Sequence, residues 1–126
     1  MITVLIRTIG RSTLLHSIES AMREFDNVIV VADCVDIDKS KLPSGPIYLR
    51  TGQKFDKYGS AAINMGAYAC ETEFFALLDD DDEFIPDAGN YMNLMVSGNP
   101  QYDIWVPGIQ YSDGIAVCME PGLRVG

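Results

Sequence analysis

The apolar residues of this chain fall into short runs that alternate between two spacings. The first run, ITVLI at residues 2–6, is continuous and rich in β-branched side chains, which is typical of a strand buried on both faces. We expect it to be the first and central strand. Helical spacing follows after Gly10, with Ser12 or Thr13 available as the cap, and predicts a first helix that buries Leu15, Ile18, Met22 and Phe25.

The rest of the chain repeats this alternation. NVIVVAD (27–33) and PIYLR (46–50) predict strands, and the Ala- and Met-rich stretch 58–70 predicts a second helix. EFFALL (73–78) returns to a strand, and Pro86 starts a third helix that ends near Gly98. The last apolar segments predict a closing hairpin that turns at Ser112, Asp113 and Gly114.

Strands that alternate with helices predict an α/β fold with a mostly parallel sheet, because a right-handed crossover between parallel strands needs a helix. In such sheets, ligands bind at the carboxyl ends of the strands. Three polar segments follow predicted strands and should lie along that edge: 8–11, 33–36 and 79–82.

Four consecutive aspartates, residues 79–82, follow the fourth predicted strand. Alternate residues of an extended chain point the same way, so we expect Asp79 to pair with Asp81, and Asp80 with Asp82. Carboxylate oxygens are hard ligands that suit Mg²⁺ or Mn²⁺. The alternative is an acidic turn that caps the helix starting at Pro86, since acids stabilise the positive end of a helix dipole.

Composition limits the partners. The 126 residues have enough apolar content for one core, and we expect a single domain, 1–126. The formal charge of −9 would repel a nucleic acid but suits a multivalent cation, alone or with an anionic ligand. Three widely spaced cysteines and an N-terminal apolar run broken by Arg7 predict a cytoplasmic protein without a membrane span.

Several segments together resemble the glycosyltransferases of family 2, which have the nucleotide-sugar-binding fold called GT-A. The resemblance implies a Rossmann-like, three-layer α/β/α sandwich. VLIRTIGR is similar to the opening strand and turn of that family, and IVVADCVDID is similar to its second strand. The strongest similarity is GSAAINMGAYACETEFFALLDDDDEFIPD, in which a helix with Asn-x-Gly precedes a strand and an Asp-x-Asp motif. The resemblance covers residue 2 to about residue 110 and depends on the order and spacing of these segments.

The chain departs from the family pattern at three places. Arg7 stands where the family usually has proline, and Cys34-Val35-Asp36 replaces its Asp-Gly-Ser context. Ile63 replaces the basic residue that commonly precedes Asn64, which removes one expected phosphate contact.

The resemblance implies a hexosyltransferase that binds a nucleoside diphosphate sugar, most simply a UDP-sugar, and an acceptor that the sequence does not identify. It implies Mn²⁺ or Mg²⁺ held by Asp81 and Asp79, and a metal that stabilises the leaving diphosphate. It also implies that Asp79 faces the ribose or the sugar, and that Thr8, Arg11 and Asp33 surround the base. The nucleotide-sugar-binding residues expected on this basis are Thr8, Arg11, Asp33, Tyr58, Asn64, Asp79 and Asp80.

The acceptor-binding half of the family is largely missing from these 126 residues. Glu120 is the candidate general base. The alternative is that Glu120 is an ordinary exposed acid. The open alternatives are a minimal transferase completed by a second copy in a homodimer, a UDP-sugar-binding and metal-binding module with at most weak hydrolysis, and a fragment. An aspartate-nucleophile phosphohydrolase and a response-regulator receiver are disfavoured, because both carry their acidic motif after the first strand.

Overall fold

The structure is a computed structural model that describes residues 1–53, 59–111 and 116–117. The chain divides into two compact units, Met1–Ala88 and Gly89–Gly126. The expected single domain stays a prediction.

The first unit is an α/β structure built on a four-stranded sheet. The elements in chain order are β1 (Ile2–Thr8), α1 (Leu14–Glu24), β2 (Asn27–Ala32), a 3₁₀ turn (Lys39–Lys41), β3 (Ile47–Arg50), α2 (Ser60–Ala69) and β4 (Phe74–Asp79). The strand order is β3-β2-β1-β4, and every pairing is parallel. The predicted central position of β1 and the parallel sheet are therefore confirmed, and the architecture is consistent with a Rossmann-like fold.

The register brings the carboxyl ends of the strands to one edge of the sheet. Arg7 on β1 pairs with Val31 on β2 and with Asp79 on β4. Asp33 continues this register, because its N–H donates to the Thr8 carbonyl at 2.9 Å. The polar segments after β1, β2 and β4 therefore begin side by side at one edge, as the sequence predicts.

Both faces of β1 are buried, as the continuous apolar run indicates. On one face, Leu5 packs with Ile29 and Val31 of β2 against Ala62 of α2. Gly66 lets α2 approach this layer, since a Cβ at this position would lie 3.3 Å from Leu5 and Val31. The sheet centre is therefore covered by a short, Ala-rich helix.

Helix α1 contacts β1 and β2, but its buried face differs from the prediction. Ile18 and Phe25 are buried as expected, whereas Met22 is 39% exposed and Leu15 is only partly buried. The buried stripe instead includes two serines and consists of Leu14, Ser17, Ile18, Ser20 and Ala21.

The second unit contains α3 (Ala88–Gly98), β5 (Ile109–Gln110) and β6 (Ala116–Val117). β5 and β6 pair antiparallel, in agreement with the predicted closing hairpin. The predicted turn at Ser112, Asp113 and Gly114 lies outside the described residues.

No helix in the described part of the chain is long and apolar enough to cross a membrane.

Candidate functional site

The carboxylate of Asp80 is buried and held by several hydrogen bonds. It belongs to the acidic loop, residues 79–84. Asp80 is 4% exposed, and its Oδ2 accepts hydrogen bonds from the Thr8 hydroxyl at 2.7 Å and from the Ile9 N–H at 3.0 Å. Arg11 Nη1 lies 3.3 Å from its Oδ1. Thr8 is fully buried, and its hydroxyl also accepts from the Gly10 N–H at 2.9 Å. These contacts join the turn after β1 to the turn after β4.

Hydroxyl groups of α1 hold the backbone of the same loop. The Thr13 hydroxyl donates to the Asp80 carbonyl at 2.6 Å instead of capping the helix. One turn further, the Ser17 hydroxyl donates to the Asp82 carbonyl at 2.6 Å. Because Ser17 is fully buried, this bond is shielded from water and compensates the burial of the hydroxyl.

The end of the loop is attached to α1 in the same way. The Phe84 N–H donates to the Ser20 hydroxyl at 3.0 Å, and Arg23 Nη2 donates to the Phe84 carbonyl at 2.6 Å. The rings of Phe84 and Phe25 lie 4.9 Å apart between centroids. Sequence reasoning missed this attachment, although hydroxyl residues at positions 13, 17 and 20 follow helical spacing beside the apolar stripe.

The anchored loop brings three carboxylates together. Ligand atoms of Asp79, Asp81 and Asp82, all exposed, lie within 4.8 Å of one another. The chain turns after β4, and the Asp82 N–H donates to the Asp79 carbonyl at 3.1 Å. The predicted pairing of Asp80 with Asp82 is therefore wrong, because it assumed an extended chain, whereas the turn places Asp82 beside Asp79 and Asp81. Oxygen donors in this number suit a hard divalent cation.

Charge in this cluster is only partly balanced. Arg11 Nη1 forms an ion pair with Asp81 Oδ2 as well as with Asp80. Partial desolvation of the Asp82 carboxyl, together with repulsion from Asp81 and Asp79, raises the pKa of Asp82 above its usual value. A divalent cation between these carboxylates would remove the repulsion.

The helix-capping alternative does not fit the observed elements. α3 begins at Ala88 rather than at Pro86, and its first turn contains no acidic residue. The four aspartates precede that helix by six or more positions, and Asp80 is used by β1 and Arg11 instead.

Asp33 lies at the end of β2 and is 8% exposed. Its Oδ2 is 3.4 Å from both Nε and Nη2 of Arg7, the residue that replaces the proline expected from the resemblance. Gly59, with φ of 77°, precedes α2 and makes room for this guanidinium, since a Cβ at Gly59 would overlap Arg7 Nε. Asp33 Oδ1 has no hydrogen-bond partner among the described residues.

The remaining predicted site residues are distributed unevenly. The Thr8 hydroxyl donates to the Asp80 carboxylate, and the expected contact of both residues with the nucleotide stays a prediction. Asn64 is exposed on α2. Tyr58 and Glu120 lie outside the described residues.

A cavity of about 340 Å³ lies beside the carboxyl ends of β2 and β3. It is lined by apolar and aromatic residues and by three charged ones: Ala32, Val35, Ile37, Leu49, Tyr48, Asp36, Lys39 and Arg50. The volume is within the range of small-molecule sites, but this cavity is not lined by Asp33 or by the acidic loop.

A scan of the chain against protein-family models finds no match, and a search of curated proteins finds none either.

Proposed function

We propose that this chain is a metal-dependent glycosyltransferase domain that binds a nucleoside diphosphate sugar, most simply a UDP-sugar. The observation that carries this proposal is the convergence of Asp79, Asp81 and Asp82 at the carboxyl end of β4. A parallel α/β sheet binds ligands at this edge, so the acids are at the expected place for a diphosphate and its cation.

The donor set fits Mn²⁺ or Mg²⁺. Asp79, Asp81 and Asp82 offer exposed carboxylate oxygens, and exposure leaves coordination positions open for diphosphate oxygens. A bound cation would offset the negative charge that develops on the leaving diphosphate. Arg11 neutralises Asp81 in the free protein and, once Asp81 is a metal ligand, is placed to donate to an anionic ligand.

The connections between strands favour the three-layer GT-A arrangement. The chain passes from β1 through α1 to β2 in one direction along the sheet, and from β3 through α2 to β4 in the other direction. Two right-handed crossovers of opposite direction place their helices on opposite faces of a sheet. Helices on both faces would make the sheet the middle layer of an α/β/α sandwich, with the candidate site at the carboxyl edge of the sheet.

Calorimetric titration tests the proposal directly. UDP is titrated into the wild type and into Asp81→Asn, each with and without Mn²⁺. We expect Mn²⁺ to raise UDP affinity in the wild type and to have little effect in Asp81→Asn, which keeps the side-chain shape but lacks the charge. Asp26→Asn is the matched control, because it removes an exposed acid outside the loop. An unchanged metal-dependent affinity in Asp81→Asn would refute the proposed role.

Turnover separates the enzyme from the non-catalytic alternative. Release of UDP from UDP-sugars is measured with Mn²⁺, with and without candidate acceptors. Release that an acceptor accelerates supports a transferase, with Glu120 as the candidate base. Metal-dependent binding without release would favour a UDP-sugar-binding module, or a site that needs the second copy of a homodimer.

A further inference from the structure

Two buried polar atoms at the carboxyl edge of the sheet have no hydrogen-bond partner among the described residues. They are Asp33 Oδ1, on a residue that is 8% exposed, and Thr51 Oγ1, on a residue that is 2% exposed. Buried polar atoms are nearly always hydrogen-bonded, because an unpaired one loses its bonds to water and gains none. Two such atoms on neighbouring strands therefore need a common explanation.

The sheet register places these residues next to each other. β2 and β3 pair in parallel, with Val31 opposite Leu49 and Ala32 opposite Arg50. The Thr51 N–H continues this ladder by donating to the Ala32 carbonyl at 3.0 Å. Asp33 and Thr51 are thus the next pair of this register. They lie two residues beyond Val31 and Leu49, and those two side chains pack on the α2 side of the sheet. The pleat directs both side chains to that same side.

The two groups have complementary chemistry. Arg7 contacts only Oδ2 of Asp33, so Oδ1 remains as a charged acceptor. The Thr51 hydroxyl can donate to a carbonyl oxygen. A ligand that satisfies both atoms offers a donor with an acceptor beside it, and the N3–H and neighbouring carbonyl of a uracil ring have this pattern.

We propose that Thr51 is a specificity-determining residue that acts with Asp33 to select the imide edge of a uracil base. This inference rests on the proposed function. Both atoms are shielded from solvent. The half-buried Arg7 contacts the Asp33 carboxylate at 3.4 Å, which is long for a hydrogen bond between charged groups. Displacement of this weakly held guanidinium opens the carboxylate to the ligand.

Cytosine is the informative competitor. In the orientation that places N3 of uracil at Asp33 and its O4 at Thr51, cytosine has an unprotonated N3 facing the carboxylate and an exocyclic amine that cannot accept from Thr51. The pair should therefore favour UDP over CDP, since a site built for a particular hydrogen-bond pattern rejects an analogue that leaves its polar groups unpaired.

The experiment measures UDP and CDP affinities in the presence of Mn²⁺ for the wild type, Thr51→Val and Thr51→Ser. Thr51→Val is close in shape and lacks the hydroxyl. We expect it to bind UDP about tenfold more weakly, which corresponds to the free-energy contribution of one hydrogen bond, and to bind CDP with little change. Thr51→Ser keeps the hydroxyl and should keep the preference for UDP.

Thermal unfolding of the free proteins gives an independent readout. Thr51→Val removes an unpaired buried hydroxyl, so it should unfold at a temperature no lower than the wild type. A less stable Thr51→Val protein would show that the hydroxyl has a structural partner and would overturn the inference.

The affinity outcomes also separate the two proposals. An unchanged ratio of UDP to CDP affinity in Thr51→Val overturns the role of Thr51 while metal-dependent UDP binding stands. Absence of Mn²⁺-dependent UDP binding in the wild type overturns the proposed function itself.

Discussion

The loops after β4 and after β2 each contain a buried aspartate, but they satisfy its carboxylate to different extents. Asp80 receives the Thr8 hydroxyl and the Ile9 N–H at 2.7 and 3.0 Å, with Arg11 at its other oxygen. Asp33 has only Arg7, at 3.4 Å, and one of its oxygens is unpaired among the described residues. The fold satisfies the carboxylate of Asp80, whereas it leaves one carboxylate oxygen of Asp33 with unused hydrogen-bonding capacity.

The two loops differ in how far the fold positions their carboxylates before any ligand binds. The acidic loop is positioned in advance, because its backbone is held by α1 and its buried carboxylate by β1. Its exposed carboxylates can then meet a cation without reordering the chain, which lowers the cost of binding. At Asp33, by contrast, the unpaired oxygen costs stability in the free protein, and under our proposal a ligand that supplies the missing bond would recover it.

The largest effect is expected where the fold has satisfied the carboxylate completely. Asp80→Ala removes the acceptor for the Thr8 hydroxyl and the Ile9 N–H, and it removes one partner of Arg11. We expect the free energy of unfolding to fall by about 3 kcal/mol, because buried donors are left unpaired. Urea unfolding followed by circular dichroism measures this change.

The control for Asp80→Ala is the neighbouring exposed acid. Asp79→Ala should change the free energy of unfolding by no more than about 0.5 kcal/mol, as surface substitutions usually do. Equal losses for the two variants would contradict the distinction between the buried and exposed members of the acidic loop.

A smaller effect is expected where α1 holds the loop backbone. Ser20→Ala removes the acceptor of the Phe84 N–H, which is then unpaired in a partly buried position. The loss should be about 1–2 kcal/mol, reduced slightly by the better helix propensity of alanine. Ser12→Ala, at an exposed position before the helix, is the matched control in the same urea titration. A loss in Ser20→Ala no larger than in this control would show that the loop is not held by α1.

The fold was largely predictable because its signals are local. The continuous apolar run of β1 and the alternation of strands with helices predicted the parallel sheet and the edge where the polar segments meet. Met22 was assigned to the core because it has helical spacing and is apolar. The helix instead buries Ser17 and Ser20, because their hydroxyls bond to the loop after β4. The spacing of apolar residues does not indicate hydrogen-bond partners that are distant in the sequence.

The candidate site was predictable in its composition but not in its geometry. The acid run and its place after a strand indicated a cation site. The alternation rule then failed at Asp82, because the chain turns at this point and bonds back to Asp79. The pairing of Arg7 with Asp33 joins residues 26 positions apart, and Thr51 comes near Asp33 only through the register of β2 and β3. Such contacts follow from the sheet and are not visible in a motif.

The smallest effect tests whether the exposed acids of the loop destabilise the free protein. The pKa of Asp82 is raised by partial desolvation and by the charges of Asp81 and Asp79. An acid whose pKa is higher in the folded state takes up its proton more readily there than in the unfolded chain. Its cost to stability is therefore absent below the unfolded pKa, develops as pH rises towards the folded pKa, and is complete above it.

Asp82→Asn should therefore be close to the wild type in stability near pH 3, about one unit below the usual pKa of an aspartate, and more stable at pH 7, by a few tenths of a kcal/mol after allowance for solvent screening. Asp26→Asn, which removes an equal charge outside the loop, corrects for the change in net charge. Mn²⁺ should reverse the order at pH 7, because a cation that binds only the folded state stabilises the wild type more than a variant with fewer ligands. Urea unfolding of the three proteins at both pH values, with and without Mn²⁺, measures these differences in the free energy of unfolding. If Asp82→Asn were less stable than the wild type at pH 7 without metal, the carboxylate would be a structural group like Asp80, and the contrast between the loop's buried and exposed acids would not extend to Asp82.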